Sequence, residues 1–347
     1  MKVTIEDVAR QAGVSKATVS RIINRNYTQS TEETRERVLR VIQELNYQPN
    51  MLAKGLKQMK TNTIGIVLSN LKNPFWIRVL EGVEDTCREY GYSLMICNSN
   101  EDGTTERELI RGLRHRKVDG LVVNPTADNR AFFEELSGDK YPFVLMNRKV
   151  EKVRTDSVVV DNRLGAQLAV EHLLRLGRRR FAAFAYPYQG ISTWQERIGG
   201  FREALLAAGL SEADFSVTIV DQREGAAKEA VGELLDALRP DAVFSTNNML
   251  TLELMEGIKE AGKSIPEDIA LVGYDETVWS KHLQPPLTTV YQPGHEMGAL
   301  AAETLFKRIV SKKTKRSSVA VLKPTLIVRR SCGAAAAEPL TKEGDAN

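Results

Sequence analysis

The sequence predicts an α/β protein with a small N-terminal unit of three helices, followed by a doubly wound core of two subdomains. Helical patterns with capping residues occupy the first part of the chain. Beyond residue 61, apolar strand-like runs alternate with amphipathic helical stretches, which is typical of parallel sheets covered by helices. About nine such runs in 230 residues are more than one sheet needs, so we expect two subdomains within the 347 residues.

The first three helices each begin at a residue that favours capping. Thr4 begins the first, with Asp7 at the capping-box position, and a glycine turn ends it. Ser15 caps a second helix that runs to about Asn24, and Thr31 caps a third. Apolar residues at helical spacing give the second and third helices one buried face, formed by Val19, Ile22, Ile23, Val38, Val41, Ile42 and Leu45.

Two short helices joined by a glycine turn indicate a helix-turn-helix unit, whose second helix enters the major groove of DNA. The other face of that helix carries Lys16, Ala17, Ser20, Arg21 and Asn24. Arg21 can make a bidentate contact to guanine, whereas Lys16 can contact either a base or a phosphate. The alternative is an ordinary helix whose polar side faces solvent.

The charge distribution favours a polyanionic partner for the N-terminal unit. Residues 1–60 carry 11 Lys and Arg against 6 Asp and Glu, a balance of +5, whereas the remaining residues carry 37 against 39. A basic segment attached to a slightly acidic body is typical of DNA-binding proteins, although many solvated surfaces have the same bias.

Residues 3–57 resemble the opening of the lactose-repressor (LacI/GalR) family without a gap. The resemblance lies in Asp7-Val8-Ala9, in Ala12-Gly13-Val14-Ser15-Lys16-Ala17-Thr18-Val19-Ser20-Arg21, and in Leu45-Asn46-Tyr47-Gln48-Pro49-Asn50 followed by Ala53-Lys54-Gly55-Leu56. It implies a helix-turn-helix domain over 1–49 and a hinge helix and linker over 50–60, with Leu56 wedged into the minor groove. The DNA-binding residues that it implies, together with those of the second helix, are Thr4, Ser15, Lys16, Ala17, Thr18, Ser20, Arg21, Asn24, Tyr47, Asn50, Ala53, Lys54 and Leu56.

The resemblance continues to residue 331 and implies a core similar to periplasmic sugar-binding proteins. It rests on motifs such as Asn73-Pro74-Phe75-Trp76, Gly273-Tyr274-Asp275 and Pro286-Leu287-Thr288-Thr289-Val290. The family's chain crosses three times between subdomains within a core over 61–331. We therefore expect one subdomain from 62–161 plus 292–320, a second from 162–291 plus 321–331, and a disordered tail over 332–347.

The family also implies a small-molecule effector between the subdomains, and its ligand-binding positions carry over to this sequence. They are Asn73, Phe75, Trp76, Asn147, Arg148, Arg197, Asn247 and Asp275, to which Trp194 is added as a further wall. Amides, carboxylates and a guanidinium suit a polyol, although a structural hydrogen bond is the alternative for each polar residue.

One departure bears on the charge of this effector. Many members of the family have Asn-Asp where this chain has Asn247-Asn248, which removes a negative charge. With Arg148 and Arg197 both present, a sugar acid becomes an alternative to a neutral sugar.

Other classes of protein are disfavoured. The four histidines lack metal spacing, the three cysteines form no C-x-x-C pair, and neither a phosphate-binding loop nor a G-x-S-x-G motif is present. We therefore expect no catalytic residue, metal or cofactor. A transport-type sugar-binding protein is the main alternative, but the N-terminus has no apolar leader and no run spans a membrane. The expectation is a cytoplasmic homodimer that binds a pseudo-palindromic operator on double-stranded DNA.

Overall fold

The computed structural model describes residues 3–24, 26–47, 60–127, 129–311 and 316–334, with the side chain of Asp236 left aside. The chain divides into two compact units, Met1–Thr61 and Asn62–Asn347. The hinge residues Asn50, Ala53, Lys54 and Leu56 lie outside the described residues, as does the tail from 335 onwards.

The N-terminal unit contains three helices, α1 (Ile5–Gln11), α2 (Lys16–Ile23) and α3 (Glu32–Glu44). The side chain of Thr4 accepts a hydrogen bond from Asp7 N, and the Asp7 carboxylate accepts from Thr4 N, so the capping box is confirmed. Ser15 and Thr31 cap the other two helices. Apolar residues from all three helices form one small core, with Val8, Val19, Ile22 and Val38 almost fully buried.

The second unit alternates strands with helices. In chain order its described strands are β1 (Thr63–Leu68), β2 (Ser93–Asn98), β3 (Gly120–Val123), β4 (Phe143–Met146), β5 (Asp156–Val160), β6 (Phe181–Ala185), β7 (Phe215–Ile219), β8 (Ala242–Ser245), β9 (Ala270–Tyr274), β10 (Thr288–Tyr291), β11 (Val319–Leu322) and β12 (Thr325–Ile327). Its described helices are α4 (Phe75–Glu89), α5 (Gly103–His115), α6 (Arg130–Gly138), α7 (Asn162–Arg175), α8 (Ser192–Ala207), α9 (Ala226–Ala237), α10 (Asn248–Glu260) and α11 (Gly294–Val310).

These strands form two six-stranded sheets, so the predicted α/β class with two subdomains is confirmed. The first sheet has the order β11-β5-β4-β3-β1-β2 and is parallel throughout. The second has the order β12-β10-β9-β8-β6-β7 and is parallel except for β12, which pairs antiparallel with β10. Helices cover both faces of each sheet, which explains why most strand residues are buried.

The structure moves the last crossing between subdomains by two residues. We expected residues 321–331 in the second subdomain, but Val321 and Leu322 pair with Val159 and Val160 of β5 in the first sheet. The chain therefore crosses after Leu322. The sequence does not show this, because pairing with β5 depends on contacts between distant residues.

The expected disordered tail also begins too early. Cys332 is fully buried in the core of the second subdomain, next to Ser331, which donates a hydrogen bond to Leu271 O at 2.6 Å. Residues 332–334 thus belong to the ordered core.

Helices α4 and α11 of the first subdomain touch backbone to backbone. A Cβ at Gly82 would lie 2.0 Å from His295 O, and one at Gly298 would lie 2.0 Å from Val79 O. Larger residues at either position would force the two helices apart. No helix in the described part of the chain is long and apolar enough to cross a membrane.

Candidate functional site

A cavity of about 740 Å³ lies between the two subdomains, at the carboxyl ends of their parallel strands, and we call it the cleft. This is where open α/β sheets bind ligands, and the volume is in the usual range for a small-molecule site. The structure brings all nine expected ligand-binding residues onto its walls, which are Asn73, Phe75, Trp76, Asn147, Arg148, Trp194, Arg197, Asn247 and Asp275.

Arg197 projects from α8 and is 3% exposed. Its Nε donates to Asn162 Oδ1 at 2.9 Å, its Nη1 donates to Thr246 O at 2.7 Å, and its guanidinium lies 3.6 Å from the ring centre of Tyr274. Burial raises the pKa of Tyr274, so this ring is a neutral π surface. Among the described residues, Arg197 has no carboxylate within 4 Å, so neutral hydrogen-bond acceptors and the face of Tyr274 stabilise its buried charge.

Arg148 follows β4 and differs from Arg197 in having a carboxylate partner. Both of its terminal nitrogens donate to Glu101, at 2.7 Å each, and Nη1 also donates to Pro125 O at 3.0 Å. The guanidinium lies 5.4 Å from the ring centre of Trp194. Because Glu101 neutralises this arginine, only one of the two arginines that suggested an anionic effector keeps an uncompensated charge.

A hydrogen-bond network at Asn73 joins the two subdomains across the cleft. Asn73 belongs to the first subdomain, and its Nδ2 donates to Asp275 Oδ2 at 3.2 Å while its Oδ1 accepts from Asn248 Nδ2 at 2.9 Å. Gln292 Nε2 donates to the other oxygen of Asp275. Asp275 has a φ of 74°, an uncommon conformation for a residue other than glycine. A ligand that bonds to these groups would therefore contact both subdomains at once.

Several buried polar atoms in the cleft have no hydrogen-bond partner. They are Asn147 Oδ1, Arg148 Nε and Gln292 Oε1, and Asn248 Oδ1 lies beside them in the Asn73 network. Among the described residues, Ser216 Oγ is the fifth such atom. An unsatisfied buried polar group costs about 1–3 kcal/mol. The set contains donors and acceptors, as a molecule with several hydroxyl groups requires.

Three further residues line the cleft but also have clear structural roles. Phe75 and Trp76 are 7% and 5% exposed and belong to the core of the first subdomain, packed edge to face. Asn247 caps α10, because its Oδ1 accepts from Met249 N at 2.9 Å. For Asn247, the structural alternative considered from the sequence is therefore present in the structure.

The sequence analysis missed several residues of the cleft. They directly follow other strands or the crossing segments, and they include Glu101 after β2, Tyr186 after β6, Gln222 and Arg223 after β7, and Gln292 after β10. A search for polar residues after every strand, rather than after selected ones, would have found them.

The N-terminal unit has its own candidate site on the surface of α2. Arg21 Nη1 donates to Gln29 Oε1, and its Nε donates to Ala17 O at 3.3 Å. Lys16 forms an ion pair with Glu6. These bonds are local, and Lys16 and Ala17 are exposed while Ser20 and Arg21 are half-buried.

The other expected DNA contacts in this unit also form bonds within it. Asn24 Nδ2 donates to Ser20 O at 2.8 Å, and the Ser15 and Thr18 hydroxyls bond to each other at the start of α2. Tyr47 packs against the small core of the unit. An exposed helix face with basic residues can present donors to DNA without disturbing that core.

Comparison with family models gives two matches. Residues 4–50 match the model of bacterial regulatory proteins of the lacI family, and residues 170–332 match a periplasmic binding protein-like domain.

Proteins that align with this chain over nearly their whole length are transcriptional regulators. The chain is 32% identical over 332 residues to the HTH-type transcriptional regulator KdgR of Bacillus subtilis strain 168, covering 94% of this chain and 97% of that protein. It is 34% identical over 332 residues to the HTH-type transcriptional repressor PurR of Aliivibrio fischeri strain MJ11, covering 94% and 98%.

Solved structures show the same architecture. A lac repressor dimer bound to operator and the anti-inducer ONPF matches with a TM-score of 0.86 and 26% identity, covering 96% of this chain and 100% of that one. A complex of the transcriptional regulator CelR with cellobiose matches with a TM-score of 0.71 and 33% identity, covering 95% and 99%.

Proposed function

The chain belongs to the lacI family of bacterial regulatory proteins and is a DNA-binding transcriptional regulator rather than an enzyme, and on this basis we propose that a sugar or sugar acid bound in the cleft controls its affinity for an operator. The unpartnered buried atoms of Asn147, Arg148 and Gln292 carry this proposal. Buried polar atoms without partners are costly, and a ligand rich in hydroxyl groups carries both donors and acceptors to offer them.

On the DNA side, we propose a homodimer that binds a pseudo-palindromic operator and represses genes of carbohydrate catabolism in the cytoplasm. Each α2 would enter the major groove, with Arg21 contacting a guanine and Lys16 a base or a phosphate. Residues 50–57 would act as the hinge in the minor groove. The exposed, locally bonded face of α2 supports this role, as does the likeness to a repressor dimer bound to its operator.

The proposed coupling follows from the network that crosses the cleft. Asn73 bonds to Asp275 and Asn248 of the other subdomain, so the closure angle decides which of these bonds form. A ligand that fits one closure angle better than another would shift the population of the two. Since affinities are linked, operator binding would change by the same factor as ligand binding.

The class of ligand is a polyol, and one observation favours an acidic one. Arg197 is a buried guanidinium without a carboxylate partner among the described residues, and its planar fork suits a carboxylate or two vicinal hydroxyls. One structural relative, CelR, forms a complex with cellobiose, a neutral sugar. The two subclasses are separated by experiment.

The test measures affinity for a pseudo-palindromic site by fluorescence anisotropy, with and without neutral sugars and the matching sugar acids. The Asn147→Asp variant places a carboxylate in the cleft, and Asp tolerates the φ of 65° at this position. We expect this variant to bind a sugar acid at least tenfold more weakly, and to lose less affinity for a neutral sugar. The control is Gln195→Glu, with the same charge change on the exposed side of α8.

Two results would reject the proposal. One is a set of sugars that bind the protein while leaving operator affinity unchanged. The other is a ligand whose affinity responds equally to Asn147→Asp and to the control, since that ligand would not occupy the cleft.

A further inference from the structure

A second cavity, of about 1160 Å³, lies in the first subdomain on the side away from the cleft, and we call it the basic cavity. It is formed where β4, β5 and β11 begin, so it lies at the edge of the parallel sheet opposite to the strand ends that line the cleft. The end of α6 and the last turns of α11 complete its walls.

The charges of the two cavities differ. Five basic and five acidic side chains line the cleft, so they balance. The basic cavity is lined by Lys140, Arg154, Lys307, Arg308 and Arg316, with Asp156 as the one carboxylate among its described lining residues. The basic cavity therefore has an excess of four positive charges.

The single carboxylate is already bound. Asp156 accepts from Arg308 Nε through one oxygen, and from Ser318 N and Oγ at 2.7 and 2.8 Å through the other. Lys307 pairs with Glu303 on the outer surface of α11. In the described part of the chain, Lys140, Arg154 and Arg316 have no acidic partner within 4 Å. Three cations thus face one concave surface with no anion to balance them.

We propose that the basic cavity binds a small phosphorylated molecule, as a second ligand site separate from the cleft. Arginine and lysine together suit phosphate, because guanidinium groups bind its oxygens in pairs and ammonium groups add compact charge. Thr304 and Ser317 add hydroxyl groups to the lining. The concave shape favours a small molecule over a DNA backbone, which needs an open and extended basic surface.

Both sites adjoin α11. Gln292, two residues before the first residue of α11, lines the cleft, and Arg308 in its last turn lines the basic cavity. A phosphorylated ligand would therefore contact the helix that also leads into the sugar-binding site.

The experiment titrates the full-length protein with pyrophosphate by isothermal titration calorimetry. The chloride concentration is lowered to match the added pyrophosphate, so that the ionic strength stays constant. The double variant Lys140→Glu/Arg154→Glu should bind pyrophosphate at least tenfold more weakly than the unaltered chain. The control, Lys259→Glu/Lys263→Glu, makes the same charge change at exposed positions of the other subdomain and should bind normally. Inorganic phosphate, as the smaller probe, should bind more weakly than pyrophosphate, since it reaches fewer of the cations.

Three results would overturn the proposal. Absence of pyrophosphate binding to the unaltered chain is the first. Equal loss in both double variants would show a general charge effect. A cavity variant that keeps its pyrophosphate affinity but loses affinity for non-operator duplex would assign the basic cavity to DNA. Asn147→Asp should leave pyrophosphate binding unchanged, so a failure here is separable from a failure of the sugar proposal.

Discussion

The face of α2 that carries Lys16 and Arg21 and the walls of the cleft use similar side chains in opposite ways. Lys16 has 59% of its side chain exposed and bonds within its own unit, whereas Arg197 is 3% exposed and bonds to residues 35 and 49 positions away. The polar side chains on α2 lie outside the small apolar core of the N-terminal unit, so that core does not depend on them. In the cleft, the expected ligand-binding groups also hold the fold together, so binding and stability should change together there and separately in α2.

The largest effect that tests this difference is expected from Arg197→Ala. The substitution removes the Arg197 donor from Thr246 O, leaves Asn162 Oδ1 with the Tyr274 hydroxyl as its remaining donor among the described residues, and removes the guanidinium from the face of Tyr274. We expect the free energy of unfolding of the core to fall by about 3 kcal/mol. Denaturant unfolding followed by circular dichroism measures this. Arg202→Ala, on the same helix but with 44% of its side chain exposed and a pairing to Glu212, should change it by less than about 0.5 kcal/mol. Equal effects would remove the contrast.

Arg21→Ala tests the other side of the comparison. The free energy of unfolding should stay within about 0.5 kcal/mol of the original. Affinity for the operator should fall by about 2 kcal/mol, roughly 30-fold, because one bidentate contact to a base is lost. Binding to a scrambled duplex serves as the reference. An equal loss on both duplexes would show that Arg21 contacts phosphate rather than a base.

A smaller effect should come from Gln29→Ala, which removes the acceptor for Arg21 Nη1. The freed arginine must then be ordered on binding, so operator affinity should fall by about 0.5–1 kcal/mol. In a double-mutant cycle, Gln29→Ala should have no further effect once Arg21 is alanine. Additive losses would mean that Gln29 acts on DNA independently.

The smallest effect concerns pH. Burial, with a contribution from Arg175, lowers the pKa of His172 below its ordinary value of 6.5. Protonation thus favours the unfolded chain, and the stability from neutral His172 is complete above pH 6.5 and is lost as pH falls through the lowered pKa. Thermal unfolding between pH 7.5 and 5 should depend less on pH in His172→Gln.

The N-terminal unit should respond over a lower range of pH. Hydrogen bonds from Thr4 lower the pKa of Asp7 below its ordinary 3.8, so the stability that this cap provides is lost only below that pH. If the melting of the N-terminal unit shifted together with that of the core between pH 7.5 and 5, the two units would not be independent in this respect.

The features that the sequence predicted well are those set by neighbouring residues. The capping box of Thr4 and Asp7 and the apolar faces of α2 and α3 depend on spacings of three or four residues. The nine predicted apolar runs do not include β10 to β12, of which β11 and β12 each pair at one edge of a sheet with a strand far away in the sequence. Val319 and Val321 of β11 are more than half exposed, because β11 is an edge strand.

The expected ligand-binding residues lie around one cavity, but their charges and hydrogen bonds were not predicted. The family resemblance implied the ligand-binding positions, and those that follow parallel strands converge because such strand ends meet at one edge of a sheet. Whether the charge of Arg148 is balanced depends on Glu101, 47 positions earlier, and the resemblance did not include that residue. The roles of Asn247 as a helix cap and of Asn73 as a bridge likewise depend on tertiary contacts.

The threading of the chain through the two subdomains has a consequence for synthesis on the ribosome. The first sheet is not complete until β11 at Val319–Leu322 has been made, and the second needs β12 and the buried Cys332 after it. Neither sheet can therefore close during most of translation, whereas the N-terminal unit can fold as soon as α3 emerges. A nascent chain would therefore contain a complete three-helix unit well before either sheet of the core, and the cleft between them, is complete.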